Sequence, residues 1–272
     1  MANTKLCVIF MHSDYSFVVY SFIGFSYLLI TGKAQNGSSR QGEVLSEWKI
    51  HTMTSIRLCS GHFNYPLDVA FATGGLLNST AVICGGEDDD LMVTDKCYSY
   101  VFKTKHSRGW KNLVNMSEPR SFSSSIVIDD MIWITGGYNK NHDTLTSTEQ
   151  IFLNKTHQAG PDLQGPRESH CMASYENKIF IIGGSKTHLN AGTSLNQVQM
   201  YNGNGLFKMP VNVSSMNYRR KNHACTIFQS QIHGGRYVLL VAGGDQEEKA
   251  SKTAEILDFL DGIRTKWKLG NL

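Results

Sequence analysis

The residues that most plainly invite chemistry in this sequence are its six cysteines. Cys84 ends an apolar run, and Cys97 opens the next one 13 residues later. If the two runs are antiparallel neighbours, the thiols face each other at the strand ends, within disulfide reach. Thr135 and Thr148 hold the matching places one unit further on, also 13 apart. The alternative is two free, partly buried thiols. Cys171 and Cys225 stand at matching points of two later units, so Cys171–Cys225 is a second candidate bridge, between units. Cys7 and Cys59 have no evident partner.

Histidines and acids come next. His170 and His223 each follow an arginine by three residues, Arg167 and Arg220. Two histidines on separate units with no third ligand in register make a poor zinc site. Their recurrence points instead to a structural task, hydrogen bonding between strands or to loop carbonyls. The run Glu87-Asp88-Asp89-Asp90 lacks the spaced acid-glycine pattern of a calcium loop and is read as a solvated acidic loop. There is no nucleophile elbow and no HExxH, and no Gly-Gly pair is followed directly by Lys-Ser/Thr as a phosphate loop requires. No catalytic, metal or cofactor-binding residue is therefore assigned, and no cofactor is expected.

The elements that hold these residues repeat. Apolar runs end in four Gly-Gly pairs: Gly85-Gly86, Gly136-Gly137, Gly183-Gly184 and Gly243-Gly244. Their first glycines are 51, 47 and 60 residues apart. Other columns move in phase. Trp110 lies 25 residues after Gly85, Phe207 lies 24 after Gly183, and Trp267 lies 24 after Gly243. In the second unit Gly160-Pro161 takes that place without an aromatic. Arg120 and Arg167 each precede their glycine by 16 residues; Arg220 precedes Gly243 by 23. Each unit is predicted to form four strands. In the second these span 123–128, 131–135, 148–153 and, more weakly, 158–163. An inner strand packed on both faces is a continuous apolar run, as Met131-Ile132-Trp133-Ile134 provides. A glycine pair at its end lets the backbone turn where a side chain would collide. The aromatics are expected to fill the space between adjacent sheets.

The array Arg-x-x-His, apolar run, Gly-Gly, Thr148-Glu149 or Ala254-Glu255, then an aromatic about 24 residues on, resembles kelch repeats, whose unit is about 50 residues. The resemblance covers residues 60–272 and implies an all-β, kelch-type β-propeller with four-stranded blades at 64–119, 120–166, 167–219 and 220–272. Propellers in general close with about 4 to 8 blades, and the kelch type usually with about five to seven. Four units therefore read as an incomplete or truncated propeller, with a divergent small propeller or an open arc needing a partner as the alternatives. Glu47-Trp48-Lys49-Ile50 resembles an outer strand of a preceding or closing blade. Some propellers of this kind are copper oxidases with a Cys–Tyr crosslink. Tyr98, Tyr100, His106 and Cys97 offer the residue types but no recognisable constellation.

Outside the repeats, residues 16–31 are uncharged and mostly apolar, and Gly32-Lys33-Ala34 follows. This pattern predicts a signal peptide over 1–34, cleaved after Ala34. A signal anchor is the runner-up, although the stretch is short of the about 20 residues a spanning helix needs. Residues 35–63 then form a linker. Sequons at Asn36, Asn78, Asn115, Asn154 and Asn212 agree with export and glycosylation. Hydrophobic residues make up 41% and charged residues 18%, enough apolar content for a core. The net charge of +3 is scattered, with no basic stripe for nucleic acid. The expected function is non-catalytic binding of a protein or glycan, secreted or in the secretory pathway. Contact with a membrane would arise only through a retained anchor. Two alternatives are an intracellular adaptor for ubiquitin ligation and the copper oxidase. The adaptor usually carries a helical BTB–BACK region, for which residues 1–60 are too short.

Overall fold

The computed structural model describes residues 33–34, 37–38, 65–101, 109–188, 193–202, 211–230, 233–246, 249–258 and 267–270. The apolar stretch 16–31, Phe207, His106, Asn36 and the 47–50 strand expectation lie outside them. Every regular element among the described residues is a β-strand. A short pair, β1 (Lys33–Ala34) with β2 (Gly37–Ser38), comes first.

Four antiparallel sheets follow, each a meander of four strands. The first holds β3 (Thr73–Leu77), β4 (Thr80–Cys84), β5 (Lys96–Val101) and β6 (Lys111–Asn115). The second holds β7 (Ser124–Ile128), β8 (Met131–Thr135), β9 (Thr148–Phe152) and β10 (His157–Ala159). The third holds β11 (Cys171–Tyr175), β12 (Lys178–Ile182), β13 (Val198–Asn202) and β14 (Val211–Val213). In the fourth, β15 (Ala224–Ser230) and β16 (Arg236–Ala242) are followed by a small hairpin, β17 (Asp245–Gln246) with β18 (Lys249–Ala250). Strands β19 (Ala254–Asp258) and β20 (Lys268–Gly270) complete it.

Local chemistry explains the meander. Asn78 and Ser79 join β3 to β4 with φ of 48° and 62°, the mirror-image turn whose twist matches the flanking strands. The second strands β8 and β12 are apolar on both faces because both are covered. Ile132 and Ile134 pack with Val82, Cys84 and Leu113 of the first sheet. On the opposite face, Trp133 packs with Ile179, Ile181 and Tyr201 of the third. Phe180 and Ile182 in turn meet Leu239, Val241 and Leu257 of the fourth. The first strands of successive sheets are neighbours: β3 lies against β7, β7 against β11, and β11 against β15. The arrangement is blade-like, with sheets face to face and their first strands on one side.

Two sequence expectations shift. The outer strand of the second sheet ends at Ala159, earlier than 158–163 implied. Pro161 has no N–H to continue a ladder, and its carbonyl instead accepts from the Thr148 hydroxyl. Gly160 lacks an aromatic because there is no room for one: a β-carbon there would crowd Thr148 Oγ1 and Trp133 Nε1. Of the other aromatics, Trp267 packs between the fourth and third sheets and donates to the Ser214 carbonyl at 2.7 Å. Trp110 does not lie between two of the four sheets. It packs on Tyr65, Tyr98 and Tyr100, on the face of the first sheet turned away from the second.

Both disulfides form. Cys84 pairs with Cys97 across β4 and β5, and Cys171 with Cys225 across β11 and β15, joining the third sheet to the fourth.

Candidate functional site

The buried polar residues are largely committed to joining sheets. Arg120, Arg167 and Arg220 are fully buried. The carbonyl of each accepts from the second glycine of the preceding sheet: Gly86, Gly137 and Gly184 donate at 2.8, 2.9 and 2.9 Å. Each guanidinium turns to its own sheet, where Nη1 donates to the carbonyl of Gly136, Gly183 or Gly243. One residue thereby ties two sheets, which is why arginine and glycine recur in phase. The first glycines leave space for that carbonyl. A β-carbon on Gly85, Gly136 or Gly183 would overlap the oxygen of Arg120, Arg167 or Arg220, and all three have positive φ. Gly243 has positive φ but no such neighbour.

Carboxylates complete two of the three junctions. Arg120 Nη2 pairs with Glu149 at 3.2 Å, and Arg220 Nη2 with Glu255 at 2.8 Å. Glu149 also accepts the amides of Ser117 and Glu118, and Glu255 those of Asn217 and Tyr218. In the third sheet Gln199 holds the equivalent place, two residues inward from the glycine pair, and Arg167 bonds Gln197 Oε1 at 2.8 Å. Burial lowers the Arg167 pKa to about 10.

The two histidines are structural here. Burial, reinforced by Arg167, holds His170 well below the usual imidazole range, and its Nε2 meets Thr135 Oγ1 of the preceding sheet at 2.7 Å. Burial, with the Arg220 charge second, lowers His223 to about 3. Both rings are neutral at physiological pH. Among the described residues no cluster of His, Cys, Asp and Glu is placed to hold a metal. The sulfur of Cys97 is spent in its disulfide and points away from the side chains of Tyr98 and Tyr100. Cys97 is therefore not free to crosslink to Tyr98 or Tyr100. Asn78, Asn115 and Asn154 are exposed, and Asn212 lies on β14.

The glycine ends of the sheets gather groups that sequence reasoning missed. Residues one past each Gly-Gly pair bridge back to the chain entering the same sheet: Glu87 to Ala70, Tyr138 to Ser121, Ser185 to Glu168 and Asp245 to Lys221. Just inside runs a ladder of left-handed residues, Phe71, Phe122, Ser169 and Asn222, with φ between 52° and 56°. The amides of the last three each donate to the carbonyl of the member before, at 3.2, 2.9 and 2.9 Å. Buried Tyr138 donates to buried Glu87, and burial first, then that carboxylate, raises its pKa. The ring of His188 lies 3.9 Å from that of Tyr138, and its Nδ1 is 3.2 Å from buried Glu168. His142 and Phe122 flank them. A signal for part of this cluster was present, since Glu87, Tyr138, Ser185 and Asp245 each directly follow a glycine pair. Its residue types differ from unit to unit, so no column stands out.

The loops that bear these groups share a frame. Between β4 and β5, the Asp88 carboxylate accepts the amides of Asp90 and Met92, at 3.0 and 2.8 Å, and the Leu91 amide donates to the Asp88 carbonyl. Between β8 and β9, Asn139 Oδ1 accepts the amides of Asn141 and Asp143, at 2.9 and 3.1 Å, and His142 donates to the Asn139 carbonyl. Leu91 and His142 have φ of 59° and 62°. The backbones match bond for bond while the exposed side chains differ.

No family model matches the sequence. Over 196 residues the chain is 26% identical to spermatocyte protein spe-26 of Caenorhabditis elegans. That similarity covers 69% of this chain, and the chain spans 31% of the length of that relative.

Proposed function

We propose that this chain is a kelch-type β-propeller acting as a non-catalytic binding module. It would present the loops at its Gly-Gly ends to a protein or glycan, in the secretory pathway or outside the cell. The observation that carries the reading is the twin loop frame. Asp88 and Asn139 hold one turn twice, and the turn displays Asp89-Asp90-Leu91-Met92 in one copy and Lys140-Asn141-His142-Asp143 in the other. A constant frame with a varied surface suits recognition, whereas catalysis needs a converging set of groups. The arginines and neutral histidines, tied up between sheets, leave the loops as the surface on offer. Two disulfides support an oxidising compartment.

The test is expression of the full chain in a secretory eukaryotic cell. Glycosidase-sensitive mobility in the medium and protected thiols at 84, 97, 171 and 225 support the compartment. The secreted chain is then applied to arrays of extracellular proteins and glycans. Saturable binding lost on exchanging residues 88–92 with 139–143 supports the module. Retention in the cytosol with free thiols, or no saturable binding, sinks it.

A further inference from the structure

Leu91 and Met92 are 55% and 63% exposed, among the most exposed large apolar side chains described. They stand together on an ordered loop rather than a frayed end, because the Asp88 carboxylate pins the amides on both sides. The loop does not need them. Its twin adopts the same hydrogen bonds with His142 and Asp143 in those places. Leucine is also a poor choice for a left-handed position, where Asn or Gly is favoured. Folding therefore explains neither side chain, and both cost solubility where they stand.

Their setting is acidic. Exposed Asp89 and Asp90 precede them directly, and residues 87–92 contain no base. We infer that this loop is a docking site for a basic polypeptide segment carrying an apolar side chain, with Leu91 and Met92 giving apolar contact and Asp89 and Asp90 pairing with lysine or arginine. Thioether and leucine side chains adapt to varied apolar partners, and flanking carboxylates set charge preference and association rate. The twin loop, with Lys140 and His142, would not select the same partner. The inference rests on the binding-module reading and specifies which loop acts and on what.

The test uses the full-length, disulfide-intact chain and three labelled synthetic peptides: lysine with leucine, glutamate with leucine, and lysine with serine. Fluorescence anisotropy at low and physiological salt reads binding. The lysine–leucine peptide should bind at least tenfold tighter than either other, and salt should weaken it. Leu91→Ser/Met92→Ser and Asp89→Asn/Asp90→Asn should each lose that preference. Asp88 is left intact so that the turn persists, and circular dichroism of each variant checks the fold. Equal binding of the glutamate–leucine peptide, or variants that bind like the parent chain, overturns the assignment. Array binding that depends on 138–143 and ignores 89–92 overturns this loop alone and leaves the module reading standing. Absence of any binding removes both.

Discussion

Between the third and fourth sheets, the buried guanidinium of Arg220 meets the buried carboxylate of Glu255. Between the second and third sheets, the buried guanidinium of Arg167 meets the amide of Gln197, and Gln199 stands where the carboxylate would be. The backbone contacts of the two arginines match. The glycine amide donates to the arginine carbonyl at 2.9 Å in each, and Nη1 reaches the next glycine carbonyl in each. The backbone pattern therefore joins sheets without the ion pair. What the carboxylate adds is neutralisation of a desolvated charge and two accepted amides. The junctions should differ most when one partner is removed.

The largest effect should come from Glu255→Ala. It strands Arg220 in a dry site and unpairs the amides of Asn217 and Tyr218. Breaking a buried pair in this way costs about 3–5 kcal/mol. Gln199→Ala leaves no new unpaired charge and should cost about 1–3 kcal/mol. Urea unfolding of both variants at pH 7 compares them, and equal losses would show that the carboxylate is not what distinguishes the junctions.

Disulfides sharpen the same comparison, because only the third–fourth junction carries one. Cys171→Ala/Cys225→Ala removes a link spanning 54 residues, and Cys84→Ala/Cys97→Ala one spanning 13 within a single sheet. Each loss is expected at about 2–4 kcal/mol, with the longer loop costing about 1 kcal/mol more on chain-entropy grounds. Thermal melts of the two double variants test the order, and a reversed order would mean that the cross-sheet bridge adds little to a junction already held by Arg220.

Acid probes both junctions through their histidines. His223 has a folded pKa of about 3, below the unfolded value of about 6.5. Between these values the unfolded chain binds the extra proton. Stability is thus full above pH 6.5 and falls as the pH drops toward 3, by up to about 1.4 kcal/mol per pH unit for each such histidine. His170 shifts in the same direction. His223→Asn should flatten the slope of unfolding free energy between pH 6 and 4 by about one such increment. An unchanged slope would mean that the ring is protonated in the fold.

The repeated backbone was legible because its causes are local and periodic. Glycine pairs, apolar second strands and phased arginines each appear in the sequence as columns. The Cys84–Cys97 pairing followed from strand register, since a strand end and the next strand start must face each other. The difference between junctions was harder to see, because Glu149, Gln199 and Glu255 matter only once their burial is known. The Phe71–Phe122–Ser169–Asn222 ladder stayed hidden for another reason. Its members share a backbone conformation and no side-chain chemistry, so tertiary contact sets what no propensity announces. The loop surface was half visible. The acids at 87–90 stood out as a run, but that Asp88 serves the turn while Leu91 and Met92 project needed the hydrogen bonds.

Gln199→Glu should have the smallest effect, and it probes the difference between the junctions most directly. The new carboxylate would stand in register with Glu149 and Glu255, beside a guanidinium whose own burial is already complete. The cost of desolvating the arginine has been met in the parent chain, so only the carboxylate's own desolvation opposes the gain. Charge-assisted hydrogen bonds to Arg167 and to the loop amides at 164–165, the positions matching 117–118 and 217–218, would offset it. A net stabilisation of about 1–2 kcal/mol is expected at pH 7. A paired carboxyl titrates below its unfolded value of about 4.3, so this gain should be present above that pH and vanish as acid protonates the group. Urea unfolding at pH 7 and pH 3 reads both halves of the expectation. A variant less stable than the parent at pH 7 would show that the third junction is shaped around its amides, with Gln197 and Gln199 as a fitted pair rather than a missing charge.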